Sequence, residues 1–231
     1  MICIIGCGRS GTHLLADIFT TEQTIVEKEN PLWFEHALAM ARNETKKEIY
    51  LPFLIDTYRQ KDAEAREKGN VFVDKTHVNT WWAEALYDAL PDVHFVWIER
   101  EIHPVVASMK NHPGMRNDLR YARSFSVPNR YMGIKDAQWY DLPIASCFAY
   151  KWKSYECRKW ELINKGLIDY VVEYEKLVTD PKDIISELEE TVWMQLRQPN
   201  MIPQNIDKWK FHLTEQEKVN ISTVNKTVRW L

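Results

Sequence analysis

Met1-Ile-Cys-Ile-Ile-Gly-Cys-Gly-Arg-Ser-Gly-Thr12 opens the chain, and the reading of the whole sequence turns on it. Ile2, Ile4 and Ile5 make a short β-branched run without charge, the pattern of a strand buried on both faces of a parallel sheet. The run breaks at Gly6, Gly8 and Gly11 follow, and His13-Leu-Leu-Ala-Asp-Ile-Phe19 reads as a helix. Strand, glycine-rich turn and helix start together aim unpaired backbone N–H groups at one point, and the partial positive charge there attracts a phosphate. Two nucleotide motifs share these residues. Gly6-Cys-Gly8-Arg-Ser-Gly11 fits the G-x-G-x-x-G of dinucleotide folds, and Gly6 to Gly11 also fits the G-x-x-x-x-G of a P-loop. A P-loop continues with Lys for the β- and γ-phosphates and Ser/Thr for magnesium, whereas this loop continues with Thr12 and His13. It is ill suited to a nucleoside triphosphate and suits a 5′-phosphate that carries another group.

The 231 residues are 45% hydrophobic and 27% charged, enough for one α/β domain over residues 1–231 and hardly enough for two. A net charge of −3 argues against a general nucleic-acid binder, so any anion site must be local. No apolar run is long enough to span a membrane, and no secretory signal precedes the first strand; a strand starting at residue 2 reads as an intact cytoplasmic protein. Cys3, Cys7, Cys147 and Cys157 form no C-x-x-C pair and no disulfide framework. Cys3 reads as core and Cys7 as a small loop residue.

Further apolar runs predict strands at 24–26, 71–73, 93–98 and 169–172. Helices are expected from Pro31 to Ala41, from Lys47 to Lys68, from a cap at Asn79 or Thr80 to Leu90, around Pro104, from Pro143 and from Pro181. Residues 111–142, with Pro113, Gly114, Pro128 and Gly133, read as a long loop region on the substrate side, and 205–226 as a polar tail. The alternation predicts a three-layer α/β domain: a central parallel sheet with helices on both faces. Ligands of such folds lie beyond the carboxyl ends of the strands, where Arg9, Lys75, Arg100 and Tyr174 fall.

Taken together, these segments resemble the sulfotransferases that use 3′-phosphoadenosine 5′-phosphosulfate (PAPS). Arg9-Ser-Gly-Thr12 with Leu14-Leu15 is similar to their 5′-phosphosulfate loop, and Arg100 with Pro104, Val106 and Ser108 to their 3′-phosphate motif. Val172-Glu-Tyr-Glu-Lys-Leu-Val178 with Asp180-Pro181 is similar to their Tyr-Glu-x-Leu segment, and Asn205-Ile-Asp-Lys-Trp209 with Leu213-Thr214 to the C-terminal segment that closes over the nucleotide. The resemblance implies a P-loop-like fold in which Gly8, Arg9, Ser10, Gly11, Thr12 and His13 hold the 5′ end of PAPS. Arg100 and Ser108 would hold its 3′-phosphate, with Tyr174 and Lys208, and further off Lys226, reaching the cosubstrate. Sulfuryl transfer needs no magnesium, and no metal is expected.

The acceptor implied is a hydroxyl on a small molecule, a glycan or a peptide, with no nucleic-acid or membrane partner. Glu29, twenty residues after Arg9, is the expected base, with Glu27 in reserve and His13 or His77 as alternatives. Arg9 and Lys75 would offset charge on the leaving 3′-phosphoadenosine 5′-phosphate (PAP). In Asp74-Lys-Thr-His77 a histidine stands where many relatives carry proline. Trp33 is a candidate to stack on the acceptor, whereas Trp81, Trp82 and Trp152 read as core. Arg116, Arg120, Arg123, Arg130 and Tyr131 are candidates to face it, and His36, His94, His103 and His112 lack metal-ligand spacing. Two other readings stay open: a Rossmann-type oxidoreductase using Gly6, Gly8 and Gly11 with Glu27 or Glu29 on the ribose, and a catalytically silent nucleotide-binding protein of the same fold.

Overall fold

The five residues of β1 (Ile2–Gly6) are all buried, and the strand lies in the middle of a five-stranded parallel sheet. The computed structural model describes residues 1–90, 92–125, 131–133, 141–198 and 206–227, with the side chains of 123–125 outside that set. β1 pairs on one side with β3 (Val71–Lys75) and on the other with β4 (His94–Glu99). β2 (Thr24–Lys28) and β5 (Tyr170–Glu173) flank them, giving the order β2-β3-β1-β4-β5.

Side chains alternate along β1 into two separate cores, as the period of a strand requires. Cys3 and Ile5 join a large core built with α2 (Pro31–Arg42), α3 (Lys47–Glu67), α4 (Ala83–Ala89), α5 (Ile102–Asn111), α6 (Pro113–Phe125), α7 (Ile144–Asn164) and α10 (Glu215–Thr227). Ile2 and Ile4 join a smaller one with α1 (Thr12–Ile18), α8 (Tyr174–Thr179) and α9 (Pro181–Val192). The sheet is thus a three-layer α/β arrangement, thicker on one face. Gly6 pairs with Ile98 and Glu99 with Glu173, so the carboxyl ends of β1, β4 and β5 sit nearly level, forming the rim where the site is built.

Several local expectations change. No helix cap forms at Asn79 or Thr80; residues 77–81 make a 3-10 turn and α4 starts at Ala83. Both side chains turn inward instead: Thr80 Oγ1 accepts from Gly6 N at 3.2 Å, and Asn79 Nδ2 donates to Asp74 at 2.9 Å. The first half of 111–142 is not a loop, because Pro113 takes the first turn of α6, and Met115, Leu119 and Ala122 bury one face. The polar tail contains α10, whose buried side chains are Ile221 and Val224. Trp33 is fully buried and donates to Asp74, so it stacks on no ligand. The candidates Pro128, Arg130, Asn205 and the side chain of Arg123 lie outside the described residues. No helix among the described residues is long and apolar enough to cross a membrane.

Candidate active site

The loop after β1 is shaped by backbone that other residues cannot copy. Gly6 has φ +136°, and a Cβ there would sit 2.4 Å from the Ile98 carbonyl oxygen. Gly11 has φ +99°, and its Cβ would meet the Tyr174 ring at 2.4 Å. Between them Arg9 adopts φ +75° and Ser10 N closes a turn on the Cys7 carbonyl at 3.1 Å. Ser10 Oγ is buried and has no hydrogen-bond partner among the described residues.

Two cavities open on either side of Arg9. The first, about 390 Å³, is bounded by Arg9, Arg100, Ser108, Tyr174 and Lys208, all expected from the sequence. Arg9 Nε donates to Ser108 Oγ at 3.0 Å. The Arg100 guanidinium stacks over the Tyr174 ring at 4.0 Å, and its Nη1 reaches the Arg9 carbonyl at 3.5 Å. Its Nε lies 3.8 Å from Glu175 and has no hydrogen-bond partner, so Arg100 pairs with neither Glu99 nor Glu101. Burial, and to a lesser degree the neighbouring Arg9, lowers the Arg100 pKa: two cations share a half-desolvated cleft with room for an anion.

The second cavity, about 550 Å³, is bounded by Gly8, Arg9, Thr12, His13 and Glu29, with Phe34, Leu38 and Met115 as apolar wall and Asp118 and Tyr131 at one end. Glu29 Oε1 accepts from both Lys75 Nζ, at 2.5 Å, and His77 Nδ1, at 2.9 Å. Burial pushes the Glu29 carboxyl up, but the His77 hydrogen bond and the Lys75 charge outweigh it and hold the group well below the usual carboxylate range. Burial lowers the pKa of His77 and of His13, which keeps both rings neutral near pH 7. With Nδ1 donating to Glu29, the lone pair of neutral His77 lies on Nε2, which has no partner. A Cβ on Gly8 would fall 3.3 Å from that nitrogen.

Other expected residues stand apart. Lys75 is fully buried behind Glu29 and His13, 3.4 Å from His13 Nε2, and borders neither cavity. Ser10 and Gly11 shape the loop without lining a cavity, and Glu27 accepts from Asn30 at 3.1 Å instead of facing the site. Lys226, Arg116 and Arg120 border neither cavity, whereas Tyr131 does. Reading the sequence found Pro104 and Ser108 on α5 but missed Ala107, Asn111 and, just past its end, His112, which line the first cavity with them. Their spacing of i, i+3, i+4, i+7 and i+8 from Pro104 is one helical stripe and was the available signal. Asp118 also went unnoticed; it accepts from Arg42 and, at 2.7 Å, from Tyr131.

The family model described as "Sulfotransferase family" matches residues 2–196. Similar solved structures include the sulfotransferase domain from the Synechococcus PCC 7002 olefin synthase, with a TM-score of 0.55 and 13% identity over 99% of this chain and 95% of that one. The sulfotransferase domain from the curacin biosynthetic pathway gives a TM-score of 0.56 and 11% identity over 99% and 98%. A sulfotransferase from Alicyclobacillus acidocaldarius gives 0.50 and 15% over 97% and 93%. At these identities the likeness shows the fold. No curated protein matches the sequence. The family match spans most of the sequence, the glycine loop included, and the chain belongs to the sulfotransferase family.

Proposed function

We propose that the protein transfers a sulfuryl group from PAPS to an acceptor hydroxyl. The observation that carries this reading is the gathering of Arg9, Arg100, Ser108, Tyr174 and Lys208 round one cleft that adjoins, at Arg9 and His112, a cavity holding Glu29 and His77. The cleft takes the nucleotide. Arg100 and Ser108, which line the cleft, hold the 3′-phosphate by charge-assisted hydrogen bonds. Gly8, Arg9, Thr12 and His13, which line the second cavity, hold the 5′-phosphosulfate through backbone N–H groups and the Thr12 hydroxyl, with Ser10 and Gly11 shaping the loop behind them. PAPS supplies a sulfuryl group already attached to a good leaving phosphate.

Arg9, where the cavities meet, stabilises charge on the bridging oxygen. Lys75, ion-paired with Glu29 behind His13, acts through those two side chains rather than on the leaving group directly. Glu29 and His77 act as one base. The carboxylate is too strongly stabilised by Lys75 and His77 to accept a proton well by itself. It instead orients His77, whose Nε2 takes the acceptor proton, and it balances the imidazolium that forms. The wall of Phe34, Leu38 and Met115 suits an acceptor with an apolar body, and residues 111–142 contribute Met115, Asp118 and Tyr131 to that side.

Calorimetry with PAP tests the donor assignment. The wild type is expected to bind, and Arg100→Ala to lose about 10- to 100-fold in affinity, the worth of a hydrogen bond to a charged group. Equal binding by both proteins removes PAPS from this reading.

A further inference from the structure

Two residues border both cavities, Arg9 and His112. Arg9 already has a part in the transfer; His112 has none. Its backbone is pinned between helices: its N–H donates to the Met109 carbonyl and its carbonyl accepts from Arg116 N, both at 3.1 Å. Its ring is oriented as well. Met115 N points at His112 Nδ1, 3.4 Å away. A Cβ on Gly114 would fall 3.2 Å from Cε1 and 3.3 Å from Nδ1, so a methyl group at 114 would press on the ring and shift it by a few tenths of an ångström. Since a backbone N–H addresses Nδ1, that nitrogen holds the lone pair, and the proton of the neutral ring sits on Nε2. Nε2 has no hydrogen-bond partner among the described residues. Burial, and then Arg9, lowers the ring's pKa despite Glu29 and Asp118, which keeps it neutral near pH 7.

We propose that His112 is a catalytic residue of the transfer, its Nε2–H donating to a non-bridging oxygen of the sulfuryl group as that group passes from the first cavity to the second. This rests on the sulfuryl-transfer reading above. In the step, the acceptor oxygen bonds to sulfur while the bond from sulfur to the 5′-phosphate oxygen breaks. The electron pair of that bond leaves with the phosphate, and the acceptor proton goes to the Glu29–His77 pair. His112 neither gains nor loses a proton; it supplies a fixed donor where negative charge collects. A neutral donor there adds no further cation beside Arg9 and Arg100.

The test uses the full chain with radiolabelled PAPS and water as the acceptor, so that water oxygen attacks sulfur and labelled sulfate and PAP are released; PAP binding is followed by calorimetry. His112→Leu is expected to bind PAP like the wild type yet release sulfate about 100-fold more slowly, the usual loss for one oxyanion donor. His112→Gln, which puts an amide N–H near the place of Nε2, is expected to recover about tenfold of that loss, and Gly114→Ala, which displaces the ring, to fall between. The proposal is overturned if His112→Leu releases sulfate at the wild-type rate, if PAP affinity falls as far as the rate, or if His112→Gln does no better than His112→Leu. A wild type that does not bind PAP removes the donor reading and this inference with it, and one that binds PAP yet releases no sulfate overturns this inference. A wild type that does both, matched by His112→Leu, removes this inference alone.

Discussion

Glu29 shows how much one side chain is asked to hold. It occupies the left-handed region at φ +49°, where a residue with a Cβ is strained, and its N–H is tied to the Lys75 carbonyl at 3.0 Å. Its carboxylate neutralises a lysine with no exposed surface. Because its folded pKa lies below its unfolded one, its stabilising effect is complete above the unfolded value and fades as pH falls toward the folded one. Glu29→Gln is therefore expected to lower stability near pH 7 by about 2 kcal/mol. In urea titrations the gap from wild type should narrow below about pH 4, the ordinary range of a glutamate. The same substitution should leave PAP affinity unchanged and cut turnover, since His77 loses the partner that orients it. His77 works only when neutral, so turnover should fall on the acid side. The fall should lie below the usual histidine midpoint of 6.5, because burial lowers this ring; a kcat–pH profile checks it.

At the scale of elements, the end of β3 is fixed by a buried carboxylate rather than by packing alone. Asp74 accepts from Trp33 Nε1 of α2, Tyr58 OH of α3 and Thr76 Oγ1, each at 3.0 Å, and from Asn79 at 2.9 Å. Burial still pushes it up to about 6 against those four bonds. Asp74→Asn turns one of the two accepting oxygens into an amide donor that faces other donors, and it should cost about 1–3 kcal/mol in chemical unfolding, with Lys75 displaced in consequence. Gly11→Ala is expected to weaken PAP binding, because its methyl group cannot clear Tyr174, whose ring also carries Arg100; calorimetry reads that loss directly. These couplings mark what the sequence does and does not disclose. The β1 loop and the Arg100–Ser108 turn of helix are local patterns and were legible. The destination of the Trp33 indole, 41 residues from Asp74, has no local signature. Helix α6 was hidden because Pro113-Gly114 reads as a turn, although a proline fits a first helical turn. Helix α10 was hidden because a helix that buries only two side chains is mostly polar. His112 was weighed only as a metal ligand, and its helical spacing from Ser108 went unused.

At the scale of the whole molecule, the family match ends at residue 196 while Lys208, Trp209 and His212 close the far side of the first cavity. That wall is held by a Lys110–Glu217 ion pair at 2.7 Å and by Trp209 stacked on His103 with ring centres 4.9 Å apart. A chain ending at residue 198 is expected to melt earlier, having lost Ile221 and Val224 from the large core, and to bind PAP more weakly; scanning calorimetry and titration would measure the two effects. The position of β1 carries a different consequence. The strand at the heart of the sheet comes first in sequence, yet its partners lie at 71–75 and 94–99. A growing polypeptide therefore holds Ile2 to Ile5 without a strand neighbour until β3 has left the ribosome, and with one side still open until β4 has followed. Such a delay favours wrong pairing over slow, long-range zipping, and it makes early synthesis the interval in which a chaperone matters most to this protein.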